Sequence, residues 1–366
     1  MQIEIRLKKL LADRNLDGHG ITQQIADDLN LHRHTVRKLY NNRHVNPSLK
    51  VLGRVCDWLV KHKVPADILP GALFGAEASG LWEAAAAPGM VTIYLGEYRQ
   101  FIAQSHTPWI SRRDASVEAG IVRWLSTPGA CGVSHIVLET KYLPFRVDVS
   151  AERIRKKALK QDHSAAISMY KKMRVDLNRS SAILVGSQRI NRLVETLVAD
   201  LFGCSPFVAE SQEIRVPFYL AYQSRMRPVE SCFGGLKNPP GKRGRFVKGT
   251  HYLNSAGQWA CFPWLAKKQD SGIVITSYEP STKGLLLAVF GLSGRASEAL
   301  GRYLMHNVMP FWPPYAEKGG RKIGVYVCKI TYEPQSSDKP DEPGEAKDVV
   351  VVPIDAAILT KYLTAR

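Results

Sequence analysis

The chain has 366 residues, which is more than one ordinary domain holds and predicts two or three domains. Lysine and arginine number 50 against 33 for aspartate and glutamate, so the formal net charge is +17 at pH 7, which favours a polyanionic partner such as nucleic acid. No apolar run reaches the roughly 18 residues of a membrane span, and the six cysteines match no zinc-site spacing, so we expect a cytoplasmic protein with reduced thiols and no membrane, metal or cofactor.

Residues 1–70 show the spacing of apolar residues that is typical of short helices. The first helix contains Ile3, Leu7, Leu10 and Leu11, and the segment "NLDGHG" ends it. Three more helices are predicted over Thr22–Leu29, Arg33–Asn41 and Ser48–His62. The last of them follows Asn46-Pro47-Ser48, in which the serine is an N-cap.

The second and third of these helices share one apolar face. Its members are Ile25, Ala26, Leu29, Leu31, Val36 and Leu39. A small residue at Ala26 lets two helices cross closely, and Asn30 occupies the turn, where glycine or asparagine tolerates a left-handed backbone. This packing leaves a basic face on the third helix.

The segments "IRLKKLLADRNL", "ITQQIADDLNLHRHTVRKLYNNR" and "NPSLKVLGRVCDWL" resemble the lambda-repressor/Cro-like (XRE-type) helix-turn-helix domain. Asn30 stands where that family usually has glycine. The resemblance covers residues 1–70 and implies an all-α domain that binds double-stranded DNA by placing its third helix in the major groove.

The resemblance also implies which side chains touch DNA. The outward residues near the start of the third helix, which would face base edges, are His32, Arg33, His34, Thr35, Arg37 and Lys38. Arg33 or Arg37 would pair bidentately with guanine. Residues expected at the phosphates are Gln23, Gln24, Lys38, Asn41, Asn42 and Arg43. A solvated basic face on a helical bundle remains the alternative.

Residues 71–89, "GALFGAEASGLWEAAAAPG", are rich in alanine and glycine and poor in charge. They are predicted to be a linker, although the alanines could extend a short helix.

Residues 90–366 are predicted to form an α/β domain with a mostly parallel sheet, divisible into two subdomains, with a charged loop over 334–348. Predicted strands lie at Val91–Gly96, Ser134–Glu139, Ala182–Gly186, Gly272–Tyr278, Leu285–Gly291 and Ile323–Ile330. Predicted helices lie near Asp114–Leu125, Ala151–Met173, Ile190–Phe202 and Ala296–Asn307, and a final strand and helix follow the charged loop. Continuous apolar strands alternating with helices indicate a sheet covered on both faces, loosely similar to flavodoxin-like and other Rossmannoid domains.

Small residues follow several of these strands and precede helices. They are Gly96, Gly186, Ser187, Gly291, Ser293 and Gly294. Backbone N–H groups at such junctions can approach an anionic small molecule or nucleotide, so the junctions are candidate ligand-binding residues. The alternative is that glycine and serine simply end strands and cap helices.

The loop "KNPPGKRGRFVKG" carries five cations and no acid, which makes Lys242, Arg243 and Arg245 candidate phosphate contacts or simply a solvated loop. Enzyme signatures are incomplete, because Arg295 stands where a nucleophile elbow needs glycine and Leu236 where a P-loop needs its first glycine. No catalytic residue is assigned.

These patterns together predict a sequence-specific DNA-binding transcriptional regulator with a C-terminal α/β domain for ligand sensing or dimerisation. A single small domain contacts few base pairs, so we expect a homodimer on a two-fold operator. Two alternatives are a nucleotide-processing enzyme with a DNA-targeting or autoregulatory helix-turn-helix domain, and an adaptor protein of a mobile-element or defence system.

Overall fold

The structure is a computed structural model. It describes residues 4–5, 7–13, 16–41, 48–62, 74–75, 79–100, 109–127, 136–147, 152–187, 190–208, 215–222, 230–239, 244–334 and 345–364.

Four short helices make up most of the described N-terminal region. They are α1 (Leu7–Asp13), α2 (Ile21–Asp28), α3 (Arg33–Tyr40) and α4 (Leu49–Lys61). Leu11, Ile25, Val36 and Leu59 are fully buried among them and form one small core. The Ser48 hydroxyl caps α4 by accepting a hydrogen bond from the Val51 N–H at 3.3 Å, as predicted. The spacing of apolar residues therefore places α2, α3 and α4 to within one residue. The first helix begins at Leu7, later than predicted, because Glu4–Ile5 form a strand.

A two-stranded antiparallel sheet links the start of the chain to the segment after α4. Its strands are β1 (Glu4–Ile5) and β2 (Phe74–Gly75). The prediction that residues 1–70 are all-α is therefore wrong at Glu4–Ile5, and the segment predicted as a linker contributes the second strand.

The rest of the described chain is an α/β assembly. Its helices are α5 (Ser79–Ala86), α6 (Arg112–Leu125), α7 (Glu152–Asp176), α8 (Arg192–Phe202), α9 (Gly294–His306) and α10 (Ala356–Thr364). The strands of its large sheet are β3 (Met90–Gln100), β4 (Trp109–Ile110), β5 (Val137–Val147), β6 (Ser181–Val185), β11 (Gln269–Glu279), β12 (Gly284–Gly291), β13 (Ala316–Lys318), β14 (Arg321–Tyr332) and β15 (Ala346–Pro353). Each strand and helix predicted after residue 89 has a counterpart, but β5 begins at Val137 and continues to Val147, beyond the predicted Ser134–Glu139. The end of the predicted charged loop, from Ala346 to Asp348, belongs to β15, and residues 335–344 lie outside the described part of the chain.

The large sheet is mixed, and the prediction of a mostly parallel sheet is wrong in this respect. Parallel pairs join β5 to β3, β3 to β6 and β6 to β12. Beyond β12 the sheet continues through β11 and β14 to β13 and β15 in antiparallel pairs. The short connection between β11 and β12 explains why these two strands are antiparallel. Only residues 280–283 join them, and a turn this short reverses the direction of the chain.

Both faces of the large sheet are covered, as predicted for an α/β domain. Helices α7, α8 and α10 pack on one face, where Tyr170, Leu197 and Leu359 are buried. Helices α5, α6 and α9 pack on the other, where Trp82 and Ile121 are buried. The large sheet therefore separates two hydrophobic cores.

A second sheet was missed by the sequence analysis. It contains β7 (Phe218–Ala221), β8 (Gly234–Gly235), β9 (Gly249–Leu253) and β10 (Trp259–Pro263), in the order β10-β9-β7-β8. These strands have at most five residues and include glycines, proline and the end of the basic loop. Strands this short lack a clear period-two pattern, so periodicity alone could not find them.

Helix α5 lies within the segment predicted as a linker. Leu81 and Trp82 are fully buried in the core on the α6 side of the large sheet. The second half of segment 71–89 is therefore part of the α/β assembly, and residues 71–73 and 76–78 lie outside the described part of the chain.

The described cysteines are free thiols. Of the described helices, none is both long enough and apolar enough to cross a membrane.

Asn191 is a buried polar side chain that connects two strands to a helix. Its Nδ2 donates to the carbonyls of Tyr94 at 2.9 Å and Val185 at 3.0 Å, and its Oδ1 accepts from the Leu193 N–H at 3.2 Å. Asn191 thereby caps α8 and satisfies the carbonyls of β3 and β6.

We expect Asn191→Ala to lower the free energy of unfolding by about 2 to 4 kcal/mol, because two buried carbonyls lose their donor and α8 loses its cap. Urea unfolding followed by tryptophan fluorescence measures this change. Asn307→Ala, at the exposed C-terminal end of α9, is the matched control and should change the free energy by less than about 0.5 kcal/mol. Equal effects of the two substitutions would contradict the assigned role.

Candidate functional site

Helix α3 presents a cationic surface. Val36 and Leu39 are fully buried on its inner side. The residues exposed on the outer side are His32, Arg33, His34, Arg37, Lys38 and Asn41, while Thr35 is partly buried. The structure therefore brings the predicted base-contacting residues together on one side of one helix. We call these seven residues the α3 surface.

The turn between α2 and α3 has the backbone that the sequence predicted for Asn30. Its φ angle is 49°, in the left-handed region. The N–H of Asn30 donates to the carbonyl of Asp27 and that of Leu31 to the carbonyl of Ala26, at 3.2 and 2.8 Å. These two bonds define a Schellman motif, in which Leu31 packs back against the helix it has left. The chain is thus turned sharply enough for α3 to cross α2.

His32 has a structural role that the sequence analysis missed. It is the N-cap of α3, and its Nδ1 accepts a hydrogen bond from the His34 N–H at 3.1 Å. An N-cap side chain that bonds to the first turn fixes where the helix begins. His32 therefore positions the start of the α3 surface.

The end of α2 is held by helix α4. The Trp58 indole N–H donates to Asp28 Oδ2 at 2.7 Å, and Arg54 Nη1 donates to the Leu29 carbonyl at 3.4 Å. A groove of about 450 Å³ lies beside these contacts. None of these contacts could be assigned from the sequence, because each joins residues 25 to 30 positions apart.

The predicted phosphate contacts have different outcomes. Gln24 is exposed at the start of α2, whereas the Gln23 amide donates to Asp27 Oδ1 at 2.7 Å. Arg245 is exposed in a loop held by Asn238, whose Nδ2 donates to the Arg245 carbonyl at 3.0 Å. Lys38 and Asn41 are exposed on the α3 surface. Four other predicted phosphate contacts lie outside the described residues: Asn42, Arg43, Lys242 and Arg243.

The predicted strand-to-helix junctions do meet at one edge of the large sheet. Leu95 of β3 lies opposite Val185 of β6, and Val185 lies opposite Val289 of β12. Because these strands are parallel, Gly186, Ser187 and Gly291 lie along the same carboxyl edge. Gly96 lies inside β3, which continues to Gln100, so the prediction that Gly96 follows a strand is wrong.

The glycines of this edge are explained by close packing. A side chain at Gly96 would overlap Ile190, and one at Gly291 would overlap Ala296 of α9. Gly294 lies against the side chain of Arg113. Gly291 therefore lets the end of β12 approach α9, and Gly96 lets β3 approach the turn before α8, which is the packing alternative considered for these residues.

The start of α9 already holds an internal acid. Ser293 caps the helix by accepting from the Ala296 N–H at 3.3 Å, and its hydroxyl donates to Asp270 Oδ2 at 2.5 Å. Asp270 is buried, and burial raises the pKa of its carboxyl above the usual value. The side chain of Ser293, a candidate ligand-binding residue, is therefore bonded to a carboxyl of the protein itself.

A second buried acid lies beneath Gly186. Asp114, in the first turn of α6, is only 1% exposed, and a β-carbon at Gly186 would lie 3.3 Å from Asp114 Oδ2. Within the described part of the chain, Asp114 Oδ1 has no hydrogen-bond partner. Burial raises the pKa of Asp114 to about 6, against a smaller lowering effect of Arg113. Two buried acids make this edge a poor environment for an anionic ligand.

Comparison with known proteins found no matching family model, no matching curated protein and no matching solved structure. The contacts and charges of the chain itself are therefore the basis for inferring its function.

The raised pKa of Asp114 predicts a pH-dependent stability. The folded state favours the neutral carboxyl, so the contribution of Asp114 is fully present below pH 4 and is lost as the pH rises through about 6. In Asp114→Asn the side chain has nearly the same shape but is neutral at every pH. We expect its free energy of unfolding to gain about 2 to 3 kcal/mol relative to the natural protein between pH 4 and pH 8.

Urea unfolding at several pH values measures this difference. Asp348→Asn, which removes an exposed carboxylate of β15, is the control and should follow the natural protein across the range. If the free energy of unfolding of Asp114→Asn and of the natural protein changed with pH in the same way, the Asp114 carboxyl would not cause the pH dependence of stability.

Proposed function

We propose that this protein is a sequence-specific DNA-binding transcriptional regulator, with an N-terminal helix-turn-helix domain of the XRE type and a C-terminal α/β part that dimerises. The single observation that carries the proposal is the α3 surface, a row of exposed cations on a short helix whose opposite side is buried.

The shape and charge of α3 both suit the major groove of DNA. An α-helix fits this groove, whose width is about 12 Å. The N-cap at His32 and the left-handed turn at Asn30 set the start of α3 against α2. A DNA-reading helix needs such support, because its first turn must face the base edges at a defined angle.

The α3 surface divides into residues that read bases and residues that hold phosphates. Arg33 and Arg37 are four positions apart, so they lie on one side of the helix and can each form a bidentate pair with guanine. Lys38, Asn41 and Gln24 are assigned to phosphates, which fix the position of α3 along the duplex.

The α/β part is proposed to form a dimer, which brings the second recognition helix that a two-fold operator requires. One short recognition helix covers only a half-site, and two copies spaced about one helical turn apart supply both halves. The buried acids at the carboxyl edge of the large sheet favour dimerisation over anion sensing as the role of this part, because an anion placed there would face Asp114 and Asp270.

The α3 surface can be tested by a double substitution. We expect Arg33→Ala/Arg37→Ala to weaken binding to a selected DNA site about 100-fold or more, because each lost bidentate pair is worth about 1 to 3 kcal/mol. The site is first obtained by selecting duplexes bound by the natural protein from a randomised pool, and affinity is then measured by fluorescence anisotropy.

The matched control is Arg123→Ala/Arg179→Ala, which also removes two arginine charges but from exposed positions of the α/β part. It should keep the preference for the selected duplex over a scrambled one. Lys38→Ala should weaken both duplexes alike and reduce the slope of log K against log salt by about 1. Full site preference in the α3 double variant would exclude α3 as the recognition helix.

A further inference from the structure

Strand β5 lies at an edge of the large sheet. It pairs with β3 along its whole length, from Val137 opposite Met90 to Val147 opposite Gln100. No other described strand pairs with β5. Two of its apolar side chains are unusually exposed, Val137 at 61% and Tyr142 at 43%. An exposed edge of this length is a template for pairing with another strand.

One hydrogen bond shows which backbone groups of β5 face outward. The Val137 N–H donates to the Gly89 carbonyl at 2.9 Å, so Val137 is directed towards β3. In a parallel ladder alternate residues bond to the same neighbour, so the residues directed away from β3 are Leu138, Thr140, Tyr142 and Pro144. Pro144 has no N–H to donate, and an outward position on an edge strand is where proline fits a sheet.

We propose that β5 pairs antiparallel with β5 of a second copy of this chain, about a two-fold axis at Thr140. This register places Thr140 opposite Thr140 of the second copy and Leu138 opposite Tyr142. All three are outward residues, so their N–H and C=O groups complete about six hydrogen bonds across the axis. The ladder ends at the next outward residue, Pro144, because proline has no N–H to donate.

The side chains match in the same register. Glu139 lies opposite Lys141 of the second copy, and this pair occurs twice because of the two-fold axis. Within one chain the same two side chains are 3.0 Å apart. The dimer therefore joins four alternating charges into one network, while Leu138 meets the exposed Tyr142 on the other face.

Other two-fold registers are less favourable. An axis at Glu139 or at Lys141 would place two like charges opposite each other. An axis at Tyr142 would place Thr140 opposite Pro144, which cannot donate. An axis at Leu138 would place Tyr142 opposite residue 134, before the strand begins. Thr140 is therefore the centre that satisfies the backbone and the charges together.

This surface rests on the dimerisation part of the proposed function but not on DNA binding. Its test uses the full chain without DNA, so failure here and failure of the α3 surface are separate results. If substitutions in β5 left the dimer unchanged, the interface would lie elsewhere, and the proposed function as a DNA-binding regulator would still stand.

The decisive experiment is a charge exchange followed by sedimentation velocity. We expect the natural protein to be dimeric, and Glu139→Lys and Lys141→Glu each to raise the dimer dissociation constant about tenfold or more, because each places like charges opposite one another. The double variant Glu139→Lys/Lys141→Glu restores opposite charges and should restore the dimer. Lys160→Glu, at an exposed position of α7, is the control and should leave the dimer unchanged.

Hydrogen exchange of the natural protein gives a measurement that needs no variant. The amides of Leu138, Thr140 and Tyr142 should be protected in the dimer and exchange faster on dilution. The Val137 amide, bonded within the chain, should not change. A monomeric natural protein, a double variant that fails to dimerise while folded, or outward amides that exchange equally fast at all concentrations would each overturn the proposal.

Discussion

The hydrogen bonds of the buried Asn191 side chain are the constraint on which the α/β part depends. Parallel strands end at one edge of the sheet, and their last carbonyls face the start of a helix. Asn191 satisfies the carbonyls of Tyr94 and Val185 and caps α8 with one side chain. Gly96 and Gly291 are close-packed beside it, since Ile190 before α8 and Ala296 of α9 approach these two strands so closely that no side chain fits.

The distribution of charge separates two kinds of surface. Exposed cations such as Arg33 and Arg37 are accessible to the phosphates of a polyanion. Neutralising phosphates releases the counterions condensed on DNA, which makes such binding salt-dependent. Asp114 and Asp270 are instead buried at the carboxyl edge, where desolvation raises the pKa of each carboxyl. In the proposed regulator the α3 surface meets the polyanion, and the large sheet provides the scaffold for a second copy.

The proposed dimer follows from the same sheet. A sheet that is not closed into a barrel has edge strands whose backbone groups are unpaired on the outer side, and β5 is such a strand. In β5 those groups lie in line with complementary charges at Glu139 and Lys141. Pro144 limits how far and in which register a partner strand can pair.

The sequence by itself determined the elements whose signals are local. Apolar spacing located α2 and α3, and the asparagine at position 30 indicated the left-handed turn. Continuous apolar runs located the long strands of the large sheet but not the short strands β4 and β13. Tertiary structure alone decided the direction of the strands beyond β12, the second sheet, and the use of the glycine-rich junctions for packing. These features depend on which distant segments meet. Ser293, for example, forms a hydrogen bond with Asp270 only because β11 lies beside β12 in the folded chain.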